Sequence, residues 1–368
     1  MTNVDKNYDV IVVGGGHNGL ICATYLARDG RKVLVVEAND SLGGASMTSQ
    51  FSDNFSVSSC AHWLFQLNSD VASDMGINGS TLELAARDLS TIALAEDGNH
   101  LTISRHKLEG AGISEDDQKA FIAFNKQINK FCKLLDGAFK RRAPKLVEGN
   151  LTDRITLAKL GLGMKMLGKE DMSDLMRLAL INIYDVMEEN FDNELLKGAI
   201  SLDSLLGSHM GPRSPNTVYG YIYRQMGEAY GYHGPAVVKG GMGAVGDALA
   251  DSARKSGVDI EMGTPVNNIN VDIDRATGVT LSDGRIFDAP IVVSNADPKT
   301  TFNKLVGLAN IETGVARRVK TMRMKGDTAK LHLALDGLPS FSGLDKSQLG
   351  QRLVIAPTMD YIEAAFNS

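Results

Sequence analysis

The sequence predicts an α/β fold, with a parallel sheet assembled from two separated stretches of chain and a mostly helical block inserted between them. Three observations carry this. Val10–Val13 is a fully apolar, β-branched run, followed by Gly14, Gly16 and Gly19 at G-x-G-x-x-G spacing and then a helical pattern. Residues 32–36 read as a second strand, closed by the acid Glu37. From residue 106 to residue 232 the apolar pattern turns helical, and strand-like runs return after it. Together these describe a Rossmann-like domain for a dinucleotide with an inserted domain.

Each element follows in order. Gly14 permits a tight turn after the first strand, Gly16 lets a diphosphate approach the backbone, and Gly19 lets the helix pack close to the strand. Gly15 and Asn18 lie in the same turn and join the candidate contacts. The helix runs through Leu20, Ala23, Leu26 and Ala27 and stops near Gly30. Its first turn points N–H groups at the diphosphate, and its dipole adds roughly 0.3–1 kcal/mol per anionic group. Glu37 can accept both hydroxyls of the adenosine ribose and would repel a 2′-phosphate.

Residues 38–44, Ala-Asn-Asp-Ser-Leu-Gly-Gly, place a glycine pair just after the acid, and Ala45-Ser-Met-Thr48 follows. An NAD-only domain has no need of that pair. It resembles the flavoproteins of the glutathione-reductase-like superfamily, and Gly-Gly-Ala-x-x-Thr resembles their phytoene desaturase-like branch. The resemblance is strong over residues 8–65 and 233–300 and diffuse between them. It implies FAD as cofactor. It implies contacts from Gly14, Gly15, Gly16, Asn18, Gly19, Glu37, Ala38, Gly43, Gly44 and Ala45, and a backbone contact to the adenine at Val266. It also implies an oxidoreductase in which a hydride passes from a substrate carbon to flavin N5, in a dehydrogenation or isomerisation of an apolar small molecule.

The expected organisation is a first FAD-domain part over 1–105, a helical substrate or lid domain over 106–232, a second FAD-domain part over 233–305, and the start of a substrate-domain sheet over 306–368. Ser114 is a good N-cap, with Phe121, Phe124, Ile128, Phe131 and Leu135 on one face of the following helix. Two more helical runs are expected near 152–167 and 173–191. Residues 257–266 read as a strand reaching the nucleotide. Residues 279–287 read as a hairpin turning at Asp283-Gly284, and 291–294 as a strand re-entering the sheet. Asp297 caps a helix with Pro298 at its first position. Alternating Leu331, Leu333 and Leu335 suit a half-buried strand over 328–335. The resembled flavoproteins carry a later glycine-rich segment near the flavin, which points to a fragment.

A second G-x-G-x-x-G, at Gly241, Gly243 and Gly246, could take NAD(P). The run before it, 236–238, is short, and these glycines suit close packing of a helix start better. An NAD(P)-dependent dehydrogenase and a non-catalytic binding protein resembling Rab GDP-dissociation inhibitors are the competing readings.

A formal charge of −6 and a pI near 5.7 argue against nucleic acid as partner. Cys22, Cys60 and Cys132 have neither C-x-x-C nor zinc-like spacing, so neither a dithiol centre nor a metal is expected. No apolar run reaches the roughly 20 residues that span a bilayer, and the default location is cytoplasmic. Residues 155–167, with Lys159 and Lys165 among Leu and Met, suit either a peripheral membrane contact or a packed lid. His17 and His62 have a pocket role or a structural one, and His209 and His233 flank Gly/Pro loops. Tyr219, Tyr221, Tyr223, Tyr230 and Tyr232 line a substrate pocket or pack the domain, with 219, 223 and 230 sharing a face. No catalytic residue stands out.

Overall fold

The computed structural model describes residues 7–110, 112–326 and 328–368. They divide into two compact units. The first holds the described residues up to Leu64, with Asn68–Ala86 and Val237–Met324; the second holds Phe65–Leu67, Arg87–Ala236 and the described residues from Lys325 onward. The boundary expected at 105 therefore moves to 86. Thr91–Ala93 and Leu101–Ile103 pair with each other and belong to one sheet with Leu108–Gly110 and Arg352–Val354, which cannot be cut at 105. The first unit likewise runs on past 305 to Met324.

In the first unit, Val10–Val13 lies between Val33–Val36 and Val292–Ser294, all parallel, with Asp259–Glu261 outside Val33–Val36. Every residue of the two valine-rich strands is buried, which is why they read as unbroken apolar runs and not as alternating ones. Helix His17–Arg28 follows the first strand and packs against helix Gly243–Lys255. The single strand expected over 257–266 is two strands. After Asp259–Glu261, Gly263 turns the chain at φ +73°, and Val266–Asp272 opens an antiparallel sheet with Arg275–Leu281 and Ile286–Asp288. The Asp283-Gly284 turn joins the last two, with Gly284 at φ +87°. Asp297 Oδ1 accepts from the Thr300 N–H at 2.9 Å, as its expected capping role requires. The helical turn it caps widens into a π-helix over Thr300–Val306.

The second unit is built on helix Glu115–Phe139, whose cap Ser114 accepts from the Asp117 N–H at 2.9 Å. Phe121, Phe124, Ile128 and Phe131 are buried in its core with Ile183, Leu196, Tyr221 and Ile222. The run expected over 173–191 is split into Lys169–Leu178 and Ile183–Asn190. Asn182 starts the second helix by accepting from the Asp185 N–H, so the chain leaves one axis and begins another. No strand forms at 328–335 among the described residues, and Leu331, Leu333 and Leu335 are 80%, 65% and 54% exposed. Alternation marks a strand only where a neighbouring strand takes its backbone groups, and among the described residues no strand pairs with this segment.

Helix Leu151–Leu167 packs by one face only, with Leu157, Leu160, Met164 and Leu167 half-buried. Its apolar Leu151, Leu162 and Met166 are 73%, 58% and 78% exposed, and Asp153 is its buried residue. No helix among the described residues is long and apolar enough to cross a membrane.

Candidate nucleotide site

The candidate residues of the first unit gather at the C-terminal ends of its parallel strands, where an open α/β sheet offers its ligand crevice. Gly14 takes φ +101° and directs the chain into the helix. A Cβ on Gly19 would stand 2.2 Å from the Gly14 carbonyl oxygen, so helix and strand touch as the spacing implies. A Cβ on Gly16 would meet Asn295 Nδ2 at 2.8 Å, and one on Gly15 would meet Leu42 Cδ2 at 2.5 Å.

Gly43 and Gly44 cross directly over this turn. The Gly43 N–H donates to the Gly15 carbonyl at 2.9 Å, and the His17 N–H donates to the Gly43 carbonyl at 3.3 Å. The left-handed φ of +106° and +60° at the pair makes that crossing possible. One consequence corrects a sequence expectation: the first N–H of the helix is already used. The Asn18 and Gly19 N–H groups have no acceptor within the helix, and Gly16 brings no side-chain cap.

Glu37 is buried and its carboxylate is held by three N–H donors. Oε2 accepts from Gly15 at 2.7 Å, and Oε1 from the Asn39 backbone and side chain at 3.0 and 2.9 Å. A carboxylate offers about four acceptor positions, so one is left for a ribose hydroxyl. A second hydroxyl needs the Asn39 amide to yield. Ala38, Asn18, Gly44 and Ala45 are exposed around this carboxylate and turn. The Glu37 N–H donates to the Glu261 carbonyl at 2.8 Å, and the Gly263 N–H to the Asn39 carbonyl at 3.0 Å. Segment 261–263 thus lies beside the acid. Val266, half-buried, opens the next sheet opposite Leu281.

Sequence reasoning missed Asn295. Its N–H donates to the Val13 carbonyl at 2.8 Å, and its Nδ2 reaches the Gly14 carbonyl at 3.4 Å. The signal was its place one residue past strand Val292–Ser294, which runs beside the first strand. His17 Nδ1 is buried with no hydrogen-bond partner. The small turn, the two unused helix N–H groups, this orphaned nitrogen and the anchored acid all fit an anionic dinucleotide with an unphosphorylated ribose.

The second glycine motif is built differently. Val237–Val238 before it pairs antiparallel with Leu84–Ala86, outside the parallel sheet. The Met242 and Gly243 N–H groups donate to Ser58 Oγ and Thr48 Oγ1, each at 2.9 Å. A Cβ on Gly246 would meet Gly43 Cα at 2.9 Å. These glycines seat a helix on the Gly43–Thr48 segment.

Other candidates disperse. His62 is exposed, with its ring 5.4 Å from Trp63. In the second unit His209 lies against Phe366, and His233 Nδ1 is 3.0 Å from Glu228. Of the five clustered tyrosines Tyr221 is the buried one, stacked on Phe124; of the expected packing face Tyr219 and Tyr223 are exposed, and Tyr230 is half-buried with its hydroxyl donating to Asp136 at 2.6 Å. Among the described residues no group of three or more His, Cys, Asp or Glu could hold a metal ion.

Residues 19–306 match the family described as flavin containing amine oxidoreductase. The chain belongs to this family. Pyridine nucleotide-disulfide oxidoreductase domain-containing protein 2 of Mus musculus is 28% identical over 354 residues, covering 91% of this chain and 61% of its own length. The zeta-carotene-forming phytoene desaturase of Myxococcus xanthus is 26% identical over 81% of this chain and 55% of its own. An oxidoreductase structure from Methanosarcina mazei has a similar fold, with a TM-score of 0.53 at 20% identity, over 85% of this chain and 65% of that one. The chain therefore spans less than two thirds of each. As a member of the flavin family it has FAD as its cofactor.

Proposed function

We propose that this protein is an FAD-dependent oxidoreductase acting on a small molecule by dehydrogenation or isomerisation. The observation that carries the reading is the crossing of Gly43-Gly44 over the Gly14–Gly19 turn beside an anchored Glu37, in a chain of a flavin family. Gly14, Gly15, Gly16, Asn18 and Gly19 receive the diphosphate, and Glu37 with Ala38 receives the ribose. Gly44 and Ala45 close over the diphosphate, and the backbone near Val266 lies toward the adenine. FAD, when bound, supplies the acceptor for a hydride. The residues named here bind and orient its adenosine half. The test is the visible spectrum of the purified protein before and after FAD is added and excess removed. Retained flavin bands support the reading, and a colourless protein overturns it.

A non-catalytic binding protein on the same scaffold predicts that colourless result together with a specific protein partner. An NAD(P) enzyme using the second glycine motif is disfavoured by the use of its N–H groups in holding Thr48 and Ser58. A peripheral membrane contact has its own observation. Leu151, Ile155, Leu162 and Met166 share about 60° of arc on helix Leu151–Leu167, all exposed, with Arg154, Lys159 and Lys165 alongside. Flotation with phosphatidylglycerol vesicles tests it: protein that stays at the bottom of the gradient removes this reading.

A further inference from the structure

The second unit contains a cavity of about 100 Å³ at the end of helix Thr217–Arg224, and its lining is charged. Arg224 lies with its guanidinium 3.8 Å from the centre of the Phe65 ring, backed by an aromatic face. Its Nε is buried and has no hydrogen-bond partner. The nearest carboxylate, Asp203, stands 3.8 Å from that nitrogen, beyond hydrogen-bond range. Both Asp203 oxygens are taken by the buried Arg352, at 2.6 and 3.0 Å. The other two carboxylates of the lining are engaged elsewhere: Glu228 by Arg105 and by His233, each at 3.0 Å, and Asp88 by Arg87 at 3.6 Å and by the His233 N–H at 2.8 Å. Within the cluster of Asp203, Arg224 and Arg352, one carboxylate thus faces two guanidinium groups, and Arg224 is the surplus cation of that cluster.

A buried N–H donor without an acceptor is costly, the more so on a charged group. Burial, with the charge of Arg352 adding to it and Asp203 opposing, lowers the Arg224 pKa from its ordinary value. An incoming anion relieves both penalties. A single surplus charge matches a monoanion, and the planar fork of a guanidinium matches the two oxygens of a carboxylate. The cavity is smaller than the roughly 150 Å³ that accommodates benzene. That size admits a short carboxylic acid.

We propose that this cavity of the second unit binds a small carboxylate on Arg224, with Phe65 backing the guanidinium and Arg352 holding Asp203 away from it. The site is independent of the flavin reading, and nothing in its test requires a flavin.

The experiment titrates the whole chain, labelled with ¹⁵N-arginine, with propionate and with its neutral isostere propionamide. The Arg224 Nε–H signal is assigned by its disappearance in Arg224→Lys. Propionate is expected to shift that signal saturably and propionamide to leave it in place. Arg224→Gln is expected to bind propionate at least about tenfold more weakly by calorimetry. The proposal is overturned by an absent or non-saturating shift, by equal response to propionamide, or by unchanged affinity in Arg224→Gln. Should that variant not fold, the two titrations of the unaltered chain decide alone. Failure here leaves the flavin spectrum untouched, and a colourless protein leaves this titration untouched.

Discussion

Gly19 and Gly30 look alike in sequence, as glycines near the two ends of one helix, and differ in what they do. A Cβ on Gly19 would press on the Gly14 carbonyl at 2.2 Å, whereas one on Gly30 meets nothing within 4 Å. Gly19→Ala should cost about 1–3 kcal/mol through overpacking of helix on strand, and should loosen nucleotide binding as well. Gly30→Ala should cost only the left-handed backbone at φ +85°, roughly 1–2 kcal/mol, and should spare binding. Urea unfolding with a parallel FAD titration separates them; equal losses of binding would refute the distinction. The cysteines give a pH prediction. Burial pushes the Cys132 thiol up to about 12 from an ordinary 9, and the nearby Glu228 charge adds to it. The folded chain therefore keeps this proton between pH 9 and 12 while the unfolded chain releases it. Its contribution to stability is whole below pH 9 and is lost as pH rises through that window. At pH 8, iodoacetamide followed by mass spectrometry should modify the exposed Cys60 and leave Cys132 unmodified until the protein is denatured.

At the scale of elements, helix Leu151–Leu167 carries apolar side chains that the core does not use. Leu162→Glu should change unfolding stability by no more than about 0.5 kcal/mol and should weaken vesicle flotation. A large stability loss would show instead that this face is packed. The cap at Asp297 should behave oppositely: Asp297→Ala removes the acceptor of the Thr300 N–H and should cost about 1 kcal/mol. Elements were legible where local chemistry decides them. The valine-rich strands, the Ser114 and Asp297 caps and the Asp283-Gly284 turn all announce themselves within a few residues. What failed needed knowledge of neighbours. Residues 328–335 alternate like a strand but have no paired strand among the described residues, and 257–266 read as one strand until Gly263 and Pro265 send its halves to two sheets. In the site, the glycine turn and acid were legible because their spacing is local. Asn295, and the use of the His17 N–H by Gly43, depend on contacts between distant parts of the chain.

For the whole molecule, the first unit by itself contains the turn, the glycine pair, the acid and the 261–263 segment, gathered at one end of its parallel sheet. The central claim is that this unit recognises the adenosine diphosphate half of FAD. Calorimetric titration of the chain with FAD, ADP, 2′,5′-ADP and FMN, repeated with Glu37→Gln, tests it most directly. FAD and ADP should bind saturably at one site, and 2′,5′-ADP should bind much more weakly because its extra phosphate meets the buried Glu37. FMN, which lacks the adenosine, should not compete, and Glu37→Gln should weaken FAD by about tenfold or more. No saturable FAD binding, or FMN and 2′,5′-ADP binding as well as FAD and ADP, would contradict the account.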